Sequence, residues 1–133
     1  MRVTRPQSGA VEELTVGVVA AGSGVAASAV RFYEEHGVIR AVRTSTNQRR
    51  FDDSAVPRIQ LAKLAQRIGL TVREIADLFA HLPRDPACAD WSRVADHLVA
   101  EAHSRMTDLT LHLELLTSDA TFDEVGASLD ARC

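Results

Sequence analysis

Between Trp91 and Leu116, apolar residues recur in steps of one, three and four: Trp91, Ala95, Leu98, Val99, Ala102, Met106, Leu109, Leu113 and Leu116. This spacing keeps returning to one face of an α-helix for about seven turns. The opposite face carries Asp96, Glu101, Ser104 and Asp108. A preceding domain of roughly 80 residues is too small to cover so long a stripe. An antiparallel or parallel helix from a second chain covers it; folding back on its own domain is the other arrangement. Arg105 and His112 stand at the edge of the stripe, where a strict heptad wants apolar residues, so a short and imperfect coiled coil is expected. The dimer contact then falls on Trp91, Leu98, Ala102, Met106, Leu109, Leu113 and Leu116.

The chain ahead of this stripe reads as a series of short elements. Residues 1–13 contain Pro6, Ser8 and Gly9 without a clear period and read as a flexible N-terminal tail. Thr15 caps a helix over Val16 to Ala21, ended by Gly22-Ser23-Gly24. A second helix spans Ala27 to His36, with Ala29, Val30 and Tyr33 on adjoining turns and Gly37 as its left-handed stop. Helix, Gly-bearing turn, helix is the helix-turn-helix pattern. Val38-Ile39 and Arg50-Phe51 read as two short strands joined by the turn-forming Thr44-Ser45-Thr46-Asn47, which makes a small wing.

Asp52 or Asp53 caps a third helix from Ser54 to Ile68, with Pro57 tolerated in its first turn and Ile59, Ala62, Leu64 and Ala65 as its apolar positions. Thr71-Val72-Arg73-Glu74 fits a capping box that opens a fourth helix with Val72, Ile75, Leu78 and Phe79 inward. The long helix runs from 89 to 116, and residues 117–133 read as a short irregular tail.

Composition sharpens the functional reading. The 133 residues are 46 % apolar, enough for a core, and carry a net charge of −3. The charge is unevenly placed: residues 1–80 hold 11 Lys and Arg against 8 Asp and Glu, and residues 81–133 hold 4 against 10. Arg40, Arg43, Arg49 and Arg50 fall within eleven positions that contain no acid. Such local basicity binds phosphate whatever the total charge, although a charge run also serves as a plain solvated face. No apolar run is long enough to cross a membrane and no signal-type segment follows Met1, so a cytoplasmic protein with no membrane partner is expected. There is no glycine-rich phosphate loop, HExxH or GxSxG, and an enzyme is not expected.

Three segments together carry a family resemblance. Gly24-Val25-Ala26-Ala27-Ser28-Ala29-Val30-Arg31-Phe32-Tyr33-Glu34-Glu35-His36-Gly37-Val38-Ile39 resembles the second helix of the MerR family of transcription regulators. Arg43 through Asn47-Gln48-Arg49-Arg50-Phe51 resembles its wing, and Ala65-Gln66-Arg67-Ile68-Gly69-Leu70-Thr71-Val72-Arg73-Glu74-Ile75 its third-to-fourth helix junction. The Asn-Gln-Arg-Arg-aromatic run, the Gln-Arg-Ile-Gly run and Trp91 after a Leu-Pro pair point to the SoxR-like branch. The resemblance covers about residues 14–116.

It implies a mainly α fold: a winged helix-turn-helix over 14–82, then a dimerisation helix over 89–116 that forms an antiparallel coiled coil in the dimer. It also implies a homodimer that kinks and untwists double-stranded promoter DNA on a signal, so that RNA polymerase engages both promoter elements. Deformation of that kind costs of order 1–6 kcal/mol, offset by phosphate contacts.

On this pattern Ser28, Arg31 and Tyr33 lie on the helix that enters the major groove, Tyr33 offering its hydroxyl to phosphate unless its ring belongs to the core. Phe32 is assigned to the core. Arg43, Arg49 and Arg50 are the wing's phosphate contacts, with Gln48 beside them; Arg49 or Arg50 pairing with Asp52 or Asp53 is the alternative. Asn47 makes the wing's turn rather than reading a base, and Arg67 is a further phosphate contact or a surface residue.

The SoxR branch carries four cluster-binding cysteines after the long helix, where this chain has Thr117-Ser118-Asp119-Ala120-Thr121-Phe122-Asp123. Cys88 and Cys133 are too few for a [2Fe–2S] site, so no iron–sulfur cluster, no metal and no other cofactor is expected. Cys88 at the mouth of the long helix is a possible thiol sensor, against an inert and partly buried side chain. Trp91 beside Phe79 would line a pocket for a small aromatic or cationic ligand, or simply pack. The competing function is a DNA-binding repressor or excisionase-like architectural protein without a sensor.

Overall fold

The structure, a computed structural model, describes residues 14–118. The element order is α1 (Val16–Ser23), α2 (Ala27–Glu35), β1 (Ala41–Arg43), β2 (Arg49–Phe51), α3 (Ala55–Ile68), α4 (Val72–Phe79) and α5 (Cys88–Thr117). The chain divides into two units at Asp96–His97, within α5.

In the first unit, Thr15 caps α1 by accepting a hydrogen bond from the Val18 amide at 3.2 Å. The helix runs two residues past the expected Ala21, because the buried Ser23 hydroxyl donates to the Val19 carbonyl at 2.6 Å and stays inside the turn. Gly24 then turns left-handed and donates back to Ala20. The chain bends by 102° into α2, within the range of a helix-turn-helix. Gly37 has φ 81° after α2, a conformation that would strain a side chain with a Cβ, and Val38 donates to the Tyr33 carbonyl.

The wing is a two-stranded antiparallel hairpin with Ala41 opposite Phe51, Val42 opposite Arg50 and Arg43 opposite Arg49. Its first strand is therefore not Val38-Ile39, as the sequence suggested. Both of those residues are fully buried, and successive residues of a strand point to opposite faces. A thin hairpin cannot bury two in a row, so they enter the core as a loop and the strand begins later. Leu14 bridges Phe51 from the other side, with Leu14 N–H to Phe51 O and Phe51 N–H to Leu14 O at 2.8 Å.

The N-cap of α3 is Ser54, whose amide donates to Asp52 Oδ1 at 2.9 Å, so Asp52 shapes the approach rather than capping directly. Ala55, Ile59, Ala62 and Ala65 face inward. Leu64, expected with them, is exposed: it lies about 200° around the helix from Ala62. Thr71 forms the full capping box with Glu74, which seats α4 with Ile75 and Phe79 buried. Val19, Val30, Tyr33, Val38, Ile39, Phe51, Ile59, Leu70, Ile75, Phe79 and Val94 form the core.

The second unit continues α5. Val99, Met106, Leu109, Leu113 and Leu116 are 55–68 % exposed, while Leu98 is 4 % exposed. The expected single stripe is thus two rows. Trp91 is half-buried, and Val94 and Leu98 are buried. Arg105 and His112, taken as defects in the heptad, belong to a different, half-buried face. The second row, the exposed Val99, Met106, Leu109, Leu113 and Leu116 with the half-buried Ala102, keeps a strict three-four spacing. Among the described residues no single helix is long and apolar enough to cross a membrane.

Candidate nucleic-acid interface

One ion pair joins helix α2 to the wing. Arg49 Nε, on β2, stands 2.8 Å from Glu34 Oε1, on the last turn of α2. Both side chains are largely buried and the contact lies outside linear hydrogen-bond geometry, so it acts as a charge contact. It ties the turn end of the wing's second strand to the end of α2. Arg49 was expected to meet phosphate, or else Asp52 or Asp53; its partner is instead Glu34. Only its remaining guanidinium N–H groups are left for anything outside.

The wing tip is held by its own small residues. Thr44 N–H donates to Gln48 O, Asn47 N–H to Thr44 O, and Gln48 N–H to Thr44 Oγ1. Asn47 sits at φ 63°, left-handed, as a turn-making residue should. Arg43 donates to the Asn47 carbonyl at 3.2 Å and remains exposed. Arg50 donates to Gln48 Oε1 at 2.7 Å and to the Arg49 carbonyl at 2.8 Å, so Arg50 and Gln48 are bound to each other.

On α2, Ser28 and Arg31 are exposed. The two aromatics that follow exchange their expected places. Tyr33 is 6 % exposed and Phe32 is 41 % exposed. The buried row of α2 runs through Val30 and Tyr33, one turn apart, and Phe32 falls about 100° away from Tyr33. The Tyr33 ring is buried, and its hydroxyl donates to Oε1 of the exposed Gln66 at 2.6 Å, a part-buried bond that occupies the hydroxyl proton within the chain. Burial raises its pKa above the usual 10.0. Phe32 stacks edge-to-face on Tyr33 and lies 4.2 Å from the His36 ring. An exposed aromatic on this helix suits contact with a thymine methyl. The heptad-like row of Val30 and Tyr33 was the signal for this, read along the helix rather than by residue type. Arg67 is exposed in the last turn of α3.

Ser28, Arg31, Phe32 and Arg43 thus make up an exposed, basic and aromatic set on two adjoining elements, with Arg49 and Arg50 behind. A model of the MerR helix-turn-helix family of regulatory proteins matches residues 14–82, and a second, of MerR DNA-binding regions, matches residues 56–118. The chain belongs to the MerR family.

Relatives agree with that placement. A MerR-family SoxR homologue from Chromobacterium violaceum, described as a helix-turn-helix transcriptional activator, is 38 % identical over 84 residues, which are 62 % of this chain and 57 % of that protein. The chain thus spans little more than half of that relative. A mercuric resistance operon regulatory protein from Serratia marcescens is 33 % identical over 113 residues, 84 % of this chain and 77 % of its own length. In fold, the chain is similar to HiNmlR, a MerR family regulator lacking the sensor domain and solved bound to promoter DNA. That likeness has TM-score 0.53 and 20 % identity, over 79 % of this chain and 85 % of the other. A MerR-family regulator from Listeria monocytogenes gives TM-score 0.53 at 22 % identity, over 77 % and 80 %.

In this MerR-family chain Cys88 is the exposed first residue of α5 and not the partly buried thiol that was the alternative. Among the described residues, no three His, Cys, Asp or Glu side chains are grouped to hold a metal ion. Cys133 lies outside the described residues. The sequence reading passed over Glu34, Gln66, Arg58 and Arg84, whose roles come from residues far away in the chain.

Proposed function

We propose that the protein is a homodimeric, cytoplasmic transcription regulator that binds double-stranded promoter DNA through α2 and the wing. The observation that carries this reading is the exposed set Ser28, Arg31, Phe32 and Arg43, on two elements that the Glu34–Arg49 pair joins. Arg31 reads guanine or holds phosphate, Arg43 and Arg50 hold phosphate with Gln48 orienting Arg50, and Arg67 adds a contact from α3. Transcription control, not catalysis, is the activity assigned.

The dimer forms through the exposed Val99, Met106, Leu109, Leu113 and Leu116 with the half-buried Ala102, with Trp91 at the margin and the two helices antiparallel. Leaving such a row in water is unfavourable, at about 25 cal/mol per Å² of apolar surface. The spacing between the two heads along the duplex follows from that pairing, and a signal that shifts it distorts the promoter for RNA polymerase. No iron–sulfur cluster is assigned, because the full chain has two cysteines, Cys88 and Cys133. Cys88, exposed at a helix N-terminus, is the candidate redox-responsive thiol.

Sedimentation and footprinting of the purified protein on its own upstream region test the reading together. A dimer that protects two half-sites and distorts the centre when a thiol oxidant is added is the expected result. A dimer that protects the DNA with no central distortion under any condition would favour the sensor-less repressor. Single chains at working concentration would overturn the reading altogether.

A further inference from the structure

Beneath the wing the first unit contains a cavity of about 240 Å³. Its walls are the stretch from Gly37 to Val42, the start of α3, the end of α4 and the residues just after it. Ile39, Phe79 and Leu82 supply apolar surface. Arg40, Arg50, Arg58 and Arg84 line it as well, and Asp52 is the acid among the lining residues. Arg50 is already turned to Gln48, which leaves three arginines around one carboxylate.

Those three differ in how they are held. Arg58 is fixed in place: its Nε donates to Ser54 Oγ at 3.1 Å and its Nη2 to the Pro83 carbonyl at 2.8 Å. The rest of its guanidinium fork makes no bond in this arrangement. Arg84 Nε stands 3.5 Å from Asp52 Oδ2, a loose pair. Among the described residues Arg40 has no ion pair, and its charge opposes that of Arg58. Desolvation, partly countered by Asp52, lowers the Arg58 pKa, and Arg40 lowers it further. Like charges facing one another in a partly dry pocket are relieved when an anion enters between them.

We propose that this cavity binds a small organic anion, an apolar ring or short chain carrying one carboxylate or phosphate, and that such an anion is an effector of the regulator. The anionic end forks onto Arg58 beside Arg40, and the apolar body rests on Val42 and Leu82, the accessible apolar residues of the lining. The cavity lies just below the usual range of roughly 300–1,000 Å³ for ligand pockets, so the ligand is small. This is not the pocket expected from Trp91 beside Phe79: Trp91 is not among its lining residues, and the arginines select an anion and not a cation. The occupant would join the base of the wing to the segment that leads into α5. Its role as effector rests on the regulator reading above; its binding does not.

Titration calorimetry on the full chain, without DNA, tests binding. Benzoate and phenyl phosphate are the two anionic probes, and benzyl alcohol is the neutral control. One saturable site per chain is expected for at least one anion, and none for the alcohol. Arg58→Met should weaken that binding by about tenfold or more. Should Arg58→Met fail to fold, Arg40→Ala, at an exposed position, carries the test and should weaken it several-fold. Absence of saturable binding by both anions, equal binding of benzyl alcohol, or full affinity in Arg40→Ala would overturn the proposal. If neither anion binds but Arg40→Ala flattens the salt dependence of duplex binding, the arginines serve DNA phosphate, and the proposal fails while the regulator reading stands.

Discussion

The hydroxyl of Tyr33 donates a 2.6 Å hydrogen bond to Oε1 of Gln66, two residues 33 positions apart in the chain. The bond fastens α2, the helix offered to DNA, to α3 behind it. It also ties the polar end of the one tyrosine in the chain to a side chain at the edge of the core. The orientation of Ser28 and Arg31 therefore depends on a residue whose ring is buried behind them.

Tyr33→Phe should cost about 1 kcal/mol of folding stability, the usual net worth of an intramolecular hydrogen bond, and leave the salt dependence of duplex binding unchanged. Urea unfolding and salt-titrated binding check the two halves. A normal stability with a flatter salt slope would show that the hydroxyl holds phosphate.

The same tyrosine predicts an alkaline effect. Its folded pKa is raised above the usual 10.0 by burial. The unfolded chain therefore ionises first, and the contribution of Tyr33 is complete below pH 10 and lost as pH rises through the higher folded value. Stability should fall over that window more steeply in the parent than in Tyr33→Phe. Tyrosinate absorbance reports this group alone, and a midpoint at or below 10 would contradict the burial.

The wing arginines should behave unequally. Arg43→Ala removes an exposed cation and should reduce the salt slope of duplex binding by about one unit. Arg49→Ala breaks the Glu34 pair, and its main effect should be a uniform loss of affinity as the wing loosens, with a smaller change of slope. Equal slope changes for both would mean that Arg49 reaches phosphate despite Glu34.

The two rows of α5 separate association from folding. Leu109→Glu and Leu113→Glu lie on the exposed row, and should yield folded single chains by sedimentation with a native first unit. Leu98→Ala removes a buried side chain, and should cost about 2–5 kcal/mol in subunit stability instead. Dimers that persist in Leu109→Glu would place the contact elsewhere.

Asn47 tests the wing's turn. At φ 63° an asparagine is tolerated and a β-branched residue is strained, so Asn47→Val should cost about 1–2 kcal/mol while Asn47→Gly is nearly neutral. Thermal unfolding compares them; equal losses would point to the side chain's own bonds.

What the linear chain determined was everything set within a few residues. Thr15 and the Thr71–Glu74 box, the left-handed Gly37 and Asn47, the order of five helices around a wing, and the repeat in α5 follow from caps, φ preferences and periodicity, which act locally. The family motifs are local in the same way. What only the tertiary structure decided was which of two neighbouring side chains goes inside. Phe32 and Tyr33 are both aromatic, Leu64 and Ala65 both apolar, and Leu98 and Val99 both suited to a dimer; one of each pair is buried and the other is not. The choice depends on the helix's rotation against elements far along the chain, and one residue is about 100° of that rotation. The partners of Arg49 and Tyr33, and the arginines gathered under the wing, were hidden for the same reason. Attraction between charges and fit between surfaces depend on distance in space, and sequence separation does not report it.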